Sequence, residues 1–136
     1  MTIVVDTNII GYLYLSSERS SLSERALLKD SMWAAPRQWR SEMRNVLALY
    51  IRKDLLSLTD AQQIMAEATD LMKGQEYEVT SNQVLELVKV SSCSAYDCEF
   101  VALARDLRAP LVTVDKQIMT DFPDIALSIE AFVGLK

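Results

Sequence analysis

Four acidic residues stand where carboxylates can do chemistry. Asp6 closes the β-branched run Thr2-Ile3-Val4-Val5, and Asp115 closes a second such run, Leu111-Val112-Thr113-Val114. Buried strands of this kind deliver the residue after them to the carboxyl edge of a sheet, where ligand sites of open α/β folds form. Glu42 lies in a stretch from about Arg37 to Lys53, where Trp39, Met43, Val46, Leu47 and Tyr50 recur at i, i+4, i+7, i+8 and i+11. That is helical spacing, and at about 100° per residue Glu42 falls between Val46 and Leu49, inside the edge of the apolar arc. Asp97, Phe100, Val101 and Ala104 occupy i, i+3, i+4 and i+7, the spacing of a buried helix face. Like charges gathered in one place raise one another's pKa unless cations sit among them. Oxygen-only ligands suit Mg²⁺ or Mn²⁺, and carboxylate-held ions are how many nucleases activate water.

Each acid also has a plainer reading. Asp6 and Asp115 can be N-caps of the helices that follow them. Glu42 can rest at the margin of the core, its stem packed and its head in water or paired with an arginine. Ser94-Ala95-Tyr96-Asp97 reads as an N-cap with an acid at the third helical position, where the helix dipole favours it. The residues alone leave both readings open.

Composition removes most other chemistry. The chain has no histidine, which excludes Ser-His-Asp and Cys-His nucleophiles and histidine acid–base pairs. The two cysteines, Cys93 and Cys98, are too few for a zinc site without histidine and are expected to be reduced, partly buried thiols. Gly11, Gly74 and Gly134 stand alone, so no glycine-rich loop cradles a phosphate. Any enzyme here works with carboxylates, with or without a hard metal ion.

The elements that must position these acids follow from periodicity. With 136 residues, 50% hydrophobic and 24% charged, the chain forms one domain over residues 1–136. No apolar run approaches the ~20 residues of a membrane span, and Asp6 interrupts any signal-like start. A soluble cytoplasmic protein is expected. After the first strand, helices are expected over about 8–15 and 23–28. Met32-Trp33-Ala34-Ala35 reads as a strand, closed by a Pro36 that suits the first turn of the next helix. A further helix opens with Thr59 or Asp60 as N-cap and ends near Gly74. Tyr77 to Val79 reads as a strand, Ser81 to Lys89 and Ala95 to Arg108 as helices, and 125–127 as a last edge strand. Strands alternating with helices predict an α/β sandwich with a mostly parallel sheet.

The net charge of −5 is awkward for a protein held to nucleic acid by charge alone. Yet Arg37, Arg40, Arg44, Arg52 and Lys53 gather in the Glu42 helix with Glu42 as its one acid, a local +4. Arg37, Arg40 and Arg44 are therefore candidates for contacts to nucleic-acid phosphates, and Arg40 or Arg44 also for a partner's carboxylate. Trp33, Trp39 and Tyr12 are candidates for stacking on bases, with core packing as their competing role. Met65 and Met72 lie at helical spacing and read as core filler or as an exposed groove for a partner.

Val5-Asp6-Thr7-Asn8, Glu42 followed by Asn45-Val46-Leu47, Tyr96-Asp97 leading into Ala102-Leu103-Ala104, and Thr113-Val114-Asp115 together resemble the PIN-domain ribonucleases. Length and motif order look like the toxin halves of VapBC toxin–antitoxin modules, over residues 2 to about 130. The resemblance implies a three-layer α/β/α sandwich and hydrolysis of RNA phosphodiesters with Mg²⁺ or Mn²⁺. It places Asp6, Glu42, Asp97 and Asp115 at the family's acidic metal-site positions, with Asn8 and Thr113 supporting the first and last acids. It also implies a VapB-like antitoxin partner and a homodimer. Where some relatives carry a further acid beyond the last motif, this chain has Lys116 and Gln117, and Asp121 lies farther along. A metal-dependent toxin ribonuclease is thus expected, with an RNA-processing nuclease lacking an antitoxin, or a non-catalytic binding module, as alternatives.

Overall fold

In the computed structural model, which describes residues 2–134, five strands form one sheet in the order β3-β2-β1-β4-β5, every neighbouring pair parallel. The strands are β1 (Thr2–Val5), β2 (Met32–Pro36), β3 (Glu76–Tyr77), β4 (Leu111–Thr113) and β5 (Ala126–Ser128). Eight helices separate or flank them: α1 (Thr7–Tyr14), α2 (Ser20–Lys29), α3 (Trp39–Arg52), α4 (Leu58–Leu71), α5 (Ser81–Lys89), α6 (Ala95–Leu107), α7 (Lys116–Asp121) and α8 (Ile129–Val133). Helix α6 packs across β1, β2 and β4 with α5 against it; α1 and α8 both pack on α2, and α3 and α4 join α1. This is the expected three-layer α/β/α sandwich. The sheet proves wholly parallel among the described residues.

The strand order matters for function. From the central β1 the chain builds outward through β2 to β3, then returns to place β4 on the other side of β1. The order reverses between β1 and β4, and ligand sites of open α/β sheets lie at such a switch point, beyond the carboxyl ends of the strands. Val4 pairs with Leu111 and Val5 with Val112, so Asp6 and Asp115 emerge side by side from the same edge. Val4, Val5, Leu111 and Val112 are fully buried, as continuous β-branched and leucine runs in a parallel sheet should be.

Several boundaries differ from the sequence expectation. Pro36 is the last residue of β2, and Arg37 extends that strand's ladder by donating its N–H to the Tyr77 carbonyl (2.9 Å), so α3 starts only at Trp39. The cap of α4 is Ser57, whose hydroxyl accepts from the Asp60 N–H (3.0 Å); Asp60 serves as the acid of the first turn. Strand β3 takes only Glu76 and Tyr77. Helices α7 and α8 are absent from the sequence expectation because one or two turns leave no measurable periodicity. What starts them is a side-chain cap, Asp115 for α7 and Ser128 for α8. Met72 is fully buried and Met65 half-buried, which removes the methionine groove. Cys93 and Cys98 are both buried free thiols, and burial pushes the Cys93 thiol up to about 12.

Candidate active site

Asp6, Glu42, Asp97 and Asp115, from four separate elements, line one cleft of about 610 Å³ together with Thr7, Asn8, Gln38, Ser41, Asn45 and Tyr96. None of the four acids is in an ion pair among the described residues. Asp6 is the deepest, 7% exposed. Its Oδ1 accepts from the Thr7 N–H (2.8 Å) and its Oδ2 from the Thr113 hydroxyl (2.8 Å). Burial pushes its pKa up to about 6; the bonds from Thr113 and Thr7 oppose the shift, and the charges of Asp97 and Asp115 add to it. Glu42 is half-buried on the first turn of α3, where its Oε1 accepts from the Thr7 hydroxyl (2.8 Å). Its pKa is raised by burial, then by repulsion from Asp6, Asp97 and Glu99, against the Thr7 bond. Burial and the charge of Asp115 raise Asp97 as well.

The structural readings of these acids turn out to coexist with clustering. Asp6 caps α1, and Asp115 caps α7 by accepting from the Gln117 (2.8 Å) and Ile118 (3.1 Å) N–H groups. Ser94 caps α6 by accepting from the Asp97 N–H (3.1 Å). Caps fix where Asp6, Asp97 and Asp115 stand, and the Thr7 hydroxyl holds Glu42; the sheet and α6 bring them together. Carboxylates that repel one another, lack cationic partners and share one cleft form a donor set that fits a hard divalent cation. They converge on the cleft without closing into a ready coordination sphere of three among the described residues.

One of the two expected supporting residues is placed differently from the expectation. Asn8 is exposed and lines the cleft, but the bonds to Asp6 come from Thr7 and Thr113. Thr7 went unnoticed in the sequence, although it is buried and ties Asp6 to Glu42 through its N–H and its hydroxyl. Thr113 serves both ends of the site, donating to Asp6 and accepting from the Asp115 N–H (3.0 Å). Asp121 faces away: its Oδ2 accepts from the Ser92 N–H (2.8 Å) and hydroxyl (2.9 Å), pinning the loop before α6.

The basic helix is not uniformly available. Arg37, Arg40 and Arg44 do not line the cleft. Arg40 forms a bidentate pair with Glu76, Nε to Oε2 and Nη2 to Oε1 both at 2.6 Å, and the fully buried Trp39 donates its indole N–H to the same Oε2 (2.7 Å). Arg40 is thus a structural clamp between α3 and β3, with its charge already engaged by Glu76; Arg37 and Arg44 stay exposed. Replacing Glu76 with Ala strands the Trp39 N–H in the core and is expected to lower stability by about 1–3 kcal/mol in a denaturant melt. Unchanged stability would mean the clamp is ornamental.

With this geometry in view, the sequence matches the PIN domain family over residues 3–125. The chain belongs to the PIN domain family. Among similar proteins, ribonuclease VapC3 of Pyrobaculum aerophilum is 29% identical over 126 residues, which span 90% of this chain and 96% of that protein. The crystal structure of PAE2754 from Pyrobaculum aerophilum has a TM-score of 0.76 to this chain, covers 98% of it and 96% of its own length, and shares 17% identity. That second likeness is one of fold. The PIN match takes in all four acids of the cleft, and the three-layer sandwich agrees with the PIN resemblance read from the motifs.

Proposed function

We propose that this PIN domain is a metal-dependent endoribonuclease and the toxin of a VapBC-type module. The observation that carries the reading is the cleft at the β1/β4 switch point, where Asp6, Glu42, Asp97 and Asp115 meet with no lysine or arginine among the lining residues. The similarity to a VapC ribonuclease along nearly the whole chain supports RNA as substrate and a VapB-like antitoxin as partner. Asp6, Asp97 and Asp115 would hold Mg²⁺ or Mn²⁺, with Glu42 as a further ligand or as the base that orients water. When bound, such an ion supplies an activated water and neutralises charge at the scissile phosphate.

The chain's own groups do the positioning. Thr7 and Thr113 hold Asp6 in one orientation, one hydrogen bond to each carboxylate oxygen, and Thr7 fixes one oxygen of Glu42. Gln38, Ser41 and Asn45 bring neutral polar side chains to the cleft, suited to sugar and phosphate oxygens. Arg37 and Arg44, exposed beside it on the Glu42 segment, offer charge to the flanking phosphates. Leu49, Leu55 and Leu58 stand exposed around the turn from α3 to α4, an apolar surface that an antitoxin segment or a second copy of the chain would cover. No helix among the described residues is long and apolar enough to cross a membrane, and we place the protein in the cytoplasm with its RNA.

Incubation with total RNA is the direct test. Cleavage is expected with Mn²⁺ or Mg²⁺ and none with EDTA. Expression in a host cell should arrest growth, and co-expression of the adjoining small gene product should restore it. Cleavage without growth arrest would favour an RNA-processing nuclease. Folded protein that leaves RNA intact under all metals would favour a binding module.

A further inference from the structure

Unpaired RNA is read chiefly by stacking its bases on aromatic side chains. The aromatic candidates from the sequence do not serve: Trp33 and Trp39 are sealed in the core, and Tyr12 is half-buried between α1 and α3. Tyr96 is different. It is 65% exposed, and among the exposed large apolar and aromatic side chains of the described residues it is the one that lines the acidic cleft.

Its position is built. Ser94 caps the first turn of α6, and the Gln38 amide donates to the Tyr96 carbonyl (2.8 Å), tying that turn to the start of α3. Tyr96 directly precedes Asp97, so its ring leaves the helix about 100° away from the acid, and in the first turn of α6 it stands exposed although Phe100, one turn further on, is fully buried. Most of the side chain is open to solvent. A large apolar face held at the lip of a site for a polyanion gains most when a flat, apolar surface covers it, and a nucleobase is such a surface.

We propose that Tyr96 is the base-stacking residue of the cleft, receiving the base of a nucleotide next to the scissile phosphate. The proposal rests on the nuclease reading and adds to it the residue that receives a base. In an A-form duplex both faces of each base are occupied by its neighbours, so Tyr96 can be covered only where a base is splayed out. Gln38, which fixes the Tyr96 backbone, lines the cleft on the opposing helix, so the stacked base and its backbone would be held by one linked pair of elements.

The test is fluorescence anisotropy in Mn²⁺ with a labelled short RNA of fixed sequence, alone or annealed to its complement, in a Glu42→Gln background that blocks cleavage. Tyr96→Ala should weaken single-strand binding about 5- to 100-fold, the range for losing one stacked base. Tyr96→Phe should bind like its parent, because stacking needs the ring and not the hydroxyl. Duplex binding should be weak and indifferent to both changes, and thermal melts should show all variants folded. Equal single-strand affinity for the Ala variant overturns the proposal, as does a Phe variant as weak as Ala. Unchanged RNA affinity together with lost antitoxin rescue in cells would assign the ring to the protein partner and also overturn it. Wild-type cleavage of total RNA separates the two levels. If the wild type cleaves and Tyr96→Ala binds normally, only the stacking role falls; if the wild type leaves RNA intact, the nuclease reading falls and takes this one with it.

Discussion

Without divalent ions at about pH 8, Asp6→Asn is expected to melt at a higher temperature than the wild type while losing activity by orders of magnitude. Burial holds the Asp6 pKa at about 6 against an ordinary 3.8. The folded chain therefore binds this proton more tightly than the unfolded chain, and the ionised group destabilises the fold. With ~1.4 kcal/mol per pKa unit, the penalty at pH 8 is about 3 kcal/mol. Asparagine keeps the shape and can still accept from the Thr7 N–H, so the gain should survive the substitution. The same linkage fixes a pH signature. For a raised pKa, the stability contributed by this group is fully present below pH 3.8 and is lost as pH rises through about 6. Wild-type melting temperature should therefore climb on acidification from about pH 7.5 to 5, and Asp6→Asn should climb less. Glu76 and Asp121, held below the ordinary carboxylate range by Arg40 and by the Ser92 backbone N–H, contribute stability that is lost only at lower pH, as the medium falls through their folded values. A variant that is less stable than the wild type at pH 8 would show that Asp6 is a structural cap and not a strained ligand.

The second large effect is the response to metal. Mn²⁺ or Mg²⁺ that binds the folded cleft and not the unfolded chain stabilises by about 2.7 kcal/mol at a hundred times its Kd. Thermal melts should show that gain near pH 8, and EDTA should reverse it. Near pH 5 the gain should shrink, because a proton on Asp6 must leave before the ion binds; burial holds Glu42 and Asp97 above their ordinary values too. Asp97→Asn should lose most of the gain along with activity, while its apo stability stays level or rises as repulsion from Asp115 disappears. An equal metal shift in wild type and Asp97→Asn would place the ion elsewhere.

Periodicity and composition, both local properties, made a good part of this molecule legible. The absence of histidine confined the chemistry to carboxylates and hard cations before any fold was known. The β-branched runs ending at Asp6 and Asp115 implied two buried parallel strands, and in a parallel sheet neighbouring strands end on one edge. The helical spacing around Glu42 and Asp97 marked both as acids turned toward an interior. Tertiary structure alone decided what those residues touch. The Thr7 hydroxyl meets Glu42 across 35 positions of chain, Thr113 meets Asp6 across 107, and Glu76 takes Arg40 across 36. Such pairs leave no period in the sequence, because each depends on where the sheet and its crossovers set two distant segments side by side. The same cause sealed Trp33, Trp39 and Met72 in the core and left Tyr96 bare at the mouth of the cleft. A hydrophobic pattern records that one face of an element is buried; which neighbour buries it, and which aromatic is left for solvent, is settled only when the layers pack.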